Sequence, residues 1–311
     1  MNIMDKIIKK SIEKDSVLVV GLDPDIKNFP KFLLNDFGIK LEDLENKKDL
    51  NFLEKVEKAL FEFNKIVIDS SVDEIVAIKP QLACYEVYGS FGIRALEKTL
   101  EYARQKNLII INDAKRGDIG NTSAFYAEAF LGNSMLSGDL VTVNPYMGED
   151  AYSPYFHYFH KNKGIFILTK TSNPSSCDIQ DLLTENNEEI YISLAKKIDF
   201  ISKDFLGDFN YSAIGVVIGA TFPEIAKKLR SIMPCNIFLV PGYGAQGGEA
   251  KNLKSLFDKS GNGALIVSAR GIIFSYKKSE NWENVSTSEM SNFIKNAAKS
   301  AKEELNSVRN N

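Results

Sequence analysis

Short apolar runs rich in β-branched residues, bounded by Gly, Pro or Asn, recur along the chain and alternate with longer stretches of helical periodicity. Eight such runs predict strands at residues 17–22, 75–79, 108–113, 140–144, 164–170, 213–219, 236–240 and 264–269. Amphipathic stretches predict helices at 51–70, 92–106, 122–136, 188–205, 223–233 and 249–258. A closing helix is predicted at 288–307, where Met290, Phe293, Ile294, Ala297 and Ala301 fall at helical spacing. Nearly continuous apolar strands separated by helices imply parallel α/β sheet buried on both faces. Eight repeats of that unit favour a closed (β/α)8 TIM barrel over the alternative, a doubly wound open sheet.

A chain of 311 residues suits one large barrel, and neither a linker nor an internal repeat divides it, so a single domain spanning 1–311 is expected. The irregular stretch at 29–51 is rich in Lys, Asp and Asn and is expected to be a surface excursion after the first strand. Basic residues number 38 and acidic residues 41, so no overall positive field exists to hold a nucleic-acid backbone, and a small anionic ligand suits the balance better. Cys84, Cys177 and Cys235 are far apart and odd in number, which is neither a disulfide framework nor a zinc pattern. His157 and His160 could share a helix face, but no carboxylate or cysteine cluster accompanies them, and a surface or packing role is expected rather than a metal site. The charge-dense N-terminus has no apolar core of signal-peptide length, and no run is long enough to cross a bilayer, so a cytoplasmic protein is expected.

Reactive side chains stand at nearly every strand end: Asp23 after the first, Lys79 and Gln81 at the second, Asp113 and Lys115 at the third, Asn144 at the fourth, Thr171 and Ser172 at the fifth, Arg270 after the eighth. Strands must end in polar loops, so any one of these means little alone. In a barrel, however, C-terminal strand ends share one mouth, and residues distant in sequence converge there. Asp113 and Lys115 are two apart and leave an unbroken strand on the same face, whereas Arg116 should point away into solvent or structure. Asp118 follows in a Gly-flanked turn and Thr122 stands near the next helix start, where a capping role and a site role are both open.

Lys79, Asp113, Lys115 and Asp118 together sum to zero formal charge and can stay ionised in a poorly hydrated pocket. Opposite charges about 4 Å apart attract by roughly 4 kcal/mol at an effective dielectric near 20, enough to fix their positions. A fixed ammonium both stabilises a developing carbanion and can deliver a proton to it, chemistry that needs neither metal nor organic cofactor. A Gly-rich stretch, Pro241-Gly242-Tyr243-Gly244-Ala245-Gln246-Gly247-Gly248, follows the seventh strand, and Ala269-Arg270-Gly271 follows the eighth. Loops at those two places are the usual phosphate site of this fold.

These residues resemble the orotidine 5′-monophosphate decarboxylase family over 19–272. The resemblance is carried by Gly21-Leu22-Asp23-Pro24, Lys79-Pro80-Gln81, Asp113-Ala114-Lys115-Arg116-Gly117-Asp118-Ile119-Gly120-Asn121-Thr122, Val143-Asn144-Pro145-Tyr146-Met147-Gly148, Thr171-Ser172-Asn173-Pro174, the Pro241 to Gln246 stretch and Ser268-Ala269-Arg270-Gly271. The Lys79-Pro80-Gln81 and Pro241 to Gly248 forms are similar to the longer bacterial branch, and the residues after Pro30 have no counterpart in compact members. The resemblance implies cofactor-free conversion of orotidine 5′-monophosphate to UMP and CO2, with Lys79, Asp113, Lys115 and Asp118 as the catalytic array and Lys115 as proton donor to C6. It further implies a homodimer in which Asp118, Ile119 and Thr122 reach the partner's site. Asp23 and Gln81 would hold ribose hydroxyls, Ser172 the pyrimidine amide edge, and Gln246 with Arg270 the 5′-phosphate, with Pro241 and Ala269 beside them.

Two rivals follow from the same residues. Magnesium-dependent sugar-phosphate decarboxylases of this barrel suite, such as 3-keto-L-gulonate 6-phosphate decarboxylase, share the Asp-x-Lys-x-x-Asp arrangement, but Gly21-Leu22-Asp23-Pro24 and Lys79-Pro80-Gln81 favour a nucleotide. A silent nucleotide-binding barrel has no physical reason to keep four interdependent ions in a costly buried site.

Overall fold

The computed structural model describes all residues except 46, 220–222, 244–249 and 310–311. Eight parallel strands close on themselves in sequence order: β1 (Leu18–Leu22), β2 (Ala77–Pro80), β3 (Ile109–Arg116), β4 (Leu140–Val143), β5 (Gly164–Lys170), β6 (Ile214–Ile218), β7 (Phe238–Pro241) and β8 (Ala264–Ser268), the last pairing with β1. Every residue of β1, β6 and β8 is buried, as strands covered on both faces require. The helices are α1 (Ile3–Lys14), α2 (Lys31–Asp36), α3 (Leu50–Ser71), α4 (Ala83–Glu86), α5 (Gly89–Gln105), α6 (Gly120–Leu131), α7 (Cys177–Gln180), α8 (Ile190–Ser202), α9 (Pro223–Ile232), α10 (Arg270–Ile273) and α11 (Thr287–Arg309).

Two crossovers depart from the alternation. Residues Ser153–Lys161 between β4 and β5, and Ala250–Leu256 between β7 and β8, are 3-10 rather than α-helical. The helix predicted at 249–258 is thus wound more tightly than its apolar pattern implies. His157 and His160 lie in the first of these segments, exposed, with ring centroids 5.5 Å apart.

Helix α1 is absent from the helices that the pattern predicts, because its lysines obscure a short apolar stripe of Ile3, Met4, Ile7 and Ile8, all buried. Asn2 caps it, accepting from Met4 and Asp5 N–H at 2.9 and 3.1 Å. The same side chain donates to the carbonyls of Phe205 and Tyr211, just before β6. Lys10 reaches the carbonyl of Asn107 before β3, and Ser16 that of Glu74 before β2. These partners precede their strands, so α1 lies across the N-terminal end of the barrel and covers it.

The excursion at 29–51 is polar in composition yet packed. Phe29 stacks on Phe63 of α3 at 4.4 Å, and Leu33, Leu34, Ile39 and Leu44 are buried. Its few apolar residues are grouped where α2 meets α3, so a hydrophilic segment still covers the barrel wall. Arg230 of α9 is held chiefly by carbonyls and makes no salt bridge with a described carboxylate: it donates to the carbonyls of Met233, Asn236, Leu256 and Gly263 and lies 3.6 Å over the Phe238 ring. Burial lowers its pKa to about 10, leaving it cationic at neutral pH.

Ile7→Ala should destabilise the protein by about 2–5 kcal/mol, the cost of emptying a fully buried aliphatic site. Urea unfolding checks this. A loss well under about 1 kcal/mol would mean that α1 rests on the barrel without being part of its core.

Candidate active site

At the C-terminal mouth, Lys79 near the end of β2 faces Asp113 on β3, and their strands are joined beyond by a bridge between Gln81 and Asp113. Lys79 Nζ donates to Asp113 Oδ2 at 2.5 Å and Gln81 Nε2 to the same oxygen at 3.0 Å. Lys115 Nζ donates to Oδ1 at 2.6 Å, and the Thr142 hydroxyl to Oδ1 at 3.0 Å. Asp113 therefore accepts four donors, two of them cationic. The side chains of Lys79 and Asp113 are 7% and 8% exposed, whereas Lys115 is 45% exposed and opens toward solvent.

Lys115 does not reach Asp113 by the simple alternation expected of a continuous strand. Its φ is 48°, and the pairing of β3 with β4 shifts register between Asn112 and Arg116. This is a bulge with a non-glycine residue in the left-handed region, which costs on the order of 1–3 kcal/mol. Local bonds hold it there: Lys115 N–H donates to Thr142 Oγ1 at 2.9 Å, and Asn144 N–H to the Arg116 carbonyl at 2.7 Å. Thr142 thus satisfies the bulge with one lone pair and Asp113 with its proton. It is a functional-site residue that sequence reasoning missed, because a threonine inside a strand reads as an ordinary β-former. Arg116 turns away as expected, donating to the Ala114 carbonyl and to Glu86.

Burial is the largest influence on Asp113 and pushes its pKa up, but the fields of Lys79 and Lys115 and their hydrogen bonds outweigh it and hold the carboxyl far below its usual range. Burial likewise works against the charged form of Lys79, yet Asp113 and Asp23 raise its pKa overall. For Asp23 burial dominates and raises the pKa, with Lys79 opposing and Asp113 reinforcing. Its Oδ1 is buried with no hydrogen-bond donor among the described residues. Gly21 permits this corner: a Cβ there would stand 2.6 Å from Ala269 Cβ, so β1 and the β8 exit approach closely only because the side chain is missing.

A cavity of about 870 Å³ occupies the mouth, walled by Asp23, Lys79, Gln81, Asp113, Lys115 and Thr142 on one side and by Ser172, Pro241, Ala269 and Arg270 on the other. Gln81 is tied to Asp113 by its amide nitrogen, leaving its carbonyl end for a ligand. Arg270 is exposed at the start of α10 and makes no ion pair with a described residue. Gln246 lies outside the described residues. Asp118, Ile119 and Thr122 are not brought to this cavity in their own chain. Neither capping alternative holds: Ile119 is the N-cap of α6, which has no side-chain cap, and Asp118 Oδ1 accepts from Ile119 N–H at 2.8 Å. Among the described residues no three His, Cys, Asp or Glu side chains gather as a metal-ligand set.

Fold and site together define a (β/α)8 barrel whose mouth holds a Lys–Asp–Lys cluster, buried at Lys79 and Asp113 and open at Lys115, with an arginine at the rim after β8. Residues 16–285 match the model of the orotidine 5′-phosphate decarboxylase / HUMPS family. An orotidine 5′-phosphate decarboxylase of Clostridium botulinum (strain Langeland) is 41% identical over 298 residues, covering 94% of this chain and 98% of that protein. One from Caldicellulosiruptor bescii is 36% identical, covering 99% of each. Among solved structures, Leishmania donovani OMP decarboxylase superposes with a TM-score of 0.73 at 28% identity, covering 99% of each chain. The orotidine 5′-monophosphate decarboxylase of Plasmodium berghei superposes with 0.78 at 25%, covering 98% and 97%. The chain belongs to the orotidine 5′-phosphate decarboxylase family.

A carboxyl whose folded pKa lies below its unfolded value adds stability above the unfolded value and loses it as pH falls through the folded one. Asp113 is such a group, whereas Asp23, raised on folding, adds stability only in acid. Asp113→Asn should lower stability by about 3 kcal/mol at pH 7 by stripping two lysines of their shared counter-ion. The deficit should shrink as pH falls below about 4, because the wild-type advantage titrates away. Denaturant unfolding of both proteins from neutral to acid pH measures it, and parallel profiles would contradict the coupling.

Proposed function

We propose that the chain decarboxylates orotidine 5′-monophosphate to UMP and CO2 without metal or organic cofactor, acting as a cytoplasmic homodimer with residues 1–311 as one catalytic domain. The observation that carries this is Asp113 held ionised between Lys79 and Lys115 in a cavity also lined by Arg270, which makes no ion pair with a described residue. A substrate with a phosphate at one end and a carboxylate at the other suits that charge layout. The phosphate would pair with Arg270, with Gln246, Pro241 and Ala269 adjoining. Ribose hydroxyls would meet the Asp23 carboxyl group and the open end of Gln81. Ser172 would bind the amide edge of the pyrimidine.

In this reading the substrate carboxylate enters beside Asp113, a like charge that cannot move away or protonate at neutral pH. Breaking the C6–carboxylate bond sends CO2 out and leaves the electron pair on C6. The fixed ammonium groups stabilise that localised anion more than they stabilise the delocalised ground-state carboxylate. Lys115 Nζ then gives its proton to C6, forming the C–H bond of UMP. Its partial exposure lets solvent reload it.

The dimer completes the array. Asp118, Ile119 and Thr122 would enter the partner's mouth, giving the fourth charge. Support comes from the surface they occupy: Ile119, Phe125, Tyr146 and Met147 are exposed large apolar side chains, and a Cβ on Gly117 would stand 2.8 Å from the Asn144 carbonyl oxygen, so the β3–α6 turn and the loop after β4 are neighbours. The cytoplasmic reading accords with three free cysteines and with the finding that no described helix is long and apolar enough to cross a membrane.

Purified protein should remove the absorbance of orotidine 5′-monophosphate at a rate unaffected by EDTA. Lys115→Ala should cut kcat by several orders of magnitude while UMP still binds. Near-normal turnover would remove Lys115 as proton donor, and a rate abolished by EDTA would favour the magnesium-dependent sugar-phosphate reading. A mixture of inactive Asp118→Ala and Lys115→Ala proteins should regain up to about a quarter of wild-type activity, since random exchange builds one intact site in half of the dimers. No recovery despite subunit exchange seen by mass spectrometry would make each site self-contained.

A further inference from the structure

The turn after β5 is held more firmly than a strand exit requires. Gln180, the last residue of α7, folds back on it: its Oε1 accepts from Thr171 N–H at 3.0 Å and its Nε2 donates to Thr171 Oγ1 at 2.8 Å. That hydroxyl donates onward to Asn173 Oδ1 at 2.7 Å. The next residue, Asp181, is tied down by Lys170 Nζ at 2.5 Å, and the Lys170 side chain is 1% exposed, bonded also to Ser176 Oγ at 3.3 Å and 5.3 Å from the centre of the Tyr191 ring. On the other side, Gly219 N–H donates to the Lys170 carbonyl at 2.8 Å, and a Cβ on Gly219 would stand 2.7 Å from Ser172 Cα. Ser172 is therefore pressed between the end of β6 and a brace built from α7.

A buried ammonium and a glycine without room for a methyl group are expensive ways to end a strand. They make physical sense where a backbone position must not drift, because a loop left to a flexible ensemble dilutes its binding-competent geometry. We infer that Gln180, backed by the Lys170–Asp181 ion pair, is a positioning residue that fixes Ser172 against the nucleobase edge of the ligand. This deepens the reading of Ser172 given above and rests on it. The brace makes no hydrogen bond to Lys79, Asp113 or Lys115, so its effect belongs to recognition of the base and not to proton transfer. A ligand that ends at the ribose does not reach Ser172 and is indifferent to it.

The test is Gln180→Met, which keeps side-chain volume and removes both hydrogen bonds, titrated with UMP and with ribose 5-phosphate. UMP should bind roughly tenfold more weakly, the combined effect of two neutral hydrogen bonds, while ribose 5-phosphate binding stays within about twofold. KM for orotidine 5′-monophosphate should rise in step and kcat fall far less. In a Ser172→Ala background Gln180→Met should add almost nothing, since both act on one contact. Amide hydrogen exchange at Thr171 should accelerate, which reads the brace without any ligand. Equal weakening of both ligands, undiminished UMP affinity, full additivity with Ser172→Ala or unchanged exchange would each overturn the assignment. If wild type itself binds UMP no better than ribose 5-phosphate, the nucleotide reading of the site fails first and takes the inference with it. Faster exchange at Thr171 in that case would show that the brace exists but serves another ligand.

Discussion

One carboxylate governs the mouth of this barrel. Asp113 holds Lys79 and Lys115 in place, and through Gln81 and Thr142 it also ties the exits of β2 and β4 to β3. Lys79 and Asp113, both buried, would not tolerate their surroundings alone. A lysine as buried as Lys79 would shed its proton without a counter-ion, and a carboxylate as buried as Asp113 would take one up. Paired, they remain charged where water cannot screen them. An electrostatic field of that kind is already oriented when a ligand arrives, so no reorganisation energy is needed at the moment of reaction.

The rest of the barrel is arranged to keep that cluster dry and rigid. Strands buried throughout (β2) and as far as Ala114 (β3) carry it, Gly21 lets the β1 and β8 exits close beside Asp23, and the Gln180 brace steadies the opposite wall. Family membership, shared with relatives 41% and 36% identical over nearly the whole chain, accords with a site whose parts depend on one another. Removing one member of such a set leaves the others unpaired, and partial sites are therefore worse than either extreme.

Legibility in the sequence followed physical visibility. Strands covered on both faces write long apolar runs, so all eight were readable, with β5 at 164–170 matching to the residue. Asp113, Lys79 and Lys115 were readable because a barrel sends every strand's C-terminal end to the same place. Helix α1 was not, since only four apolar side chains face the core and lysines fill the intervening positions. Thr142 and Gln180 escaped notice for a different reason. Their importance lies in which backbone group they satisfy, and a hydrogen bond to a bulge or a turn leaves no periodic trace. The expectation that Asp113 and Lys115 share a strand face reached the right pairing through geometry that the chain does not adopt.

The left-handed backbone of Lys115 sets two demands on one position. Glycine or asparagine would sit at φ 48° with less strain than lysine. Against that relief stands the loss of one of the two cations that keep the buried Asp113 ionised, the larger cost of the two, so selection for heat resistance alone should still retain lysine at this strained corner.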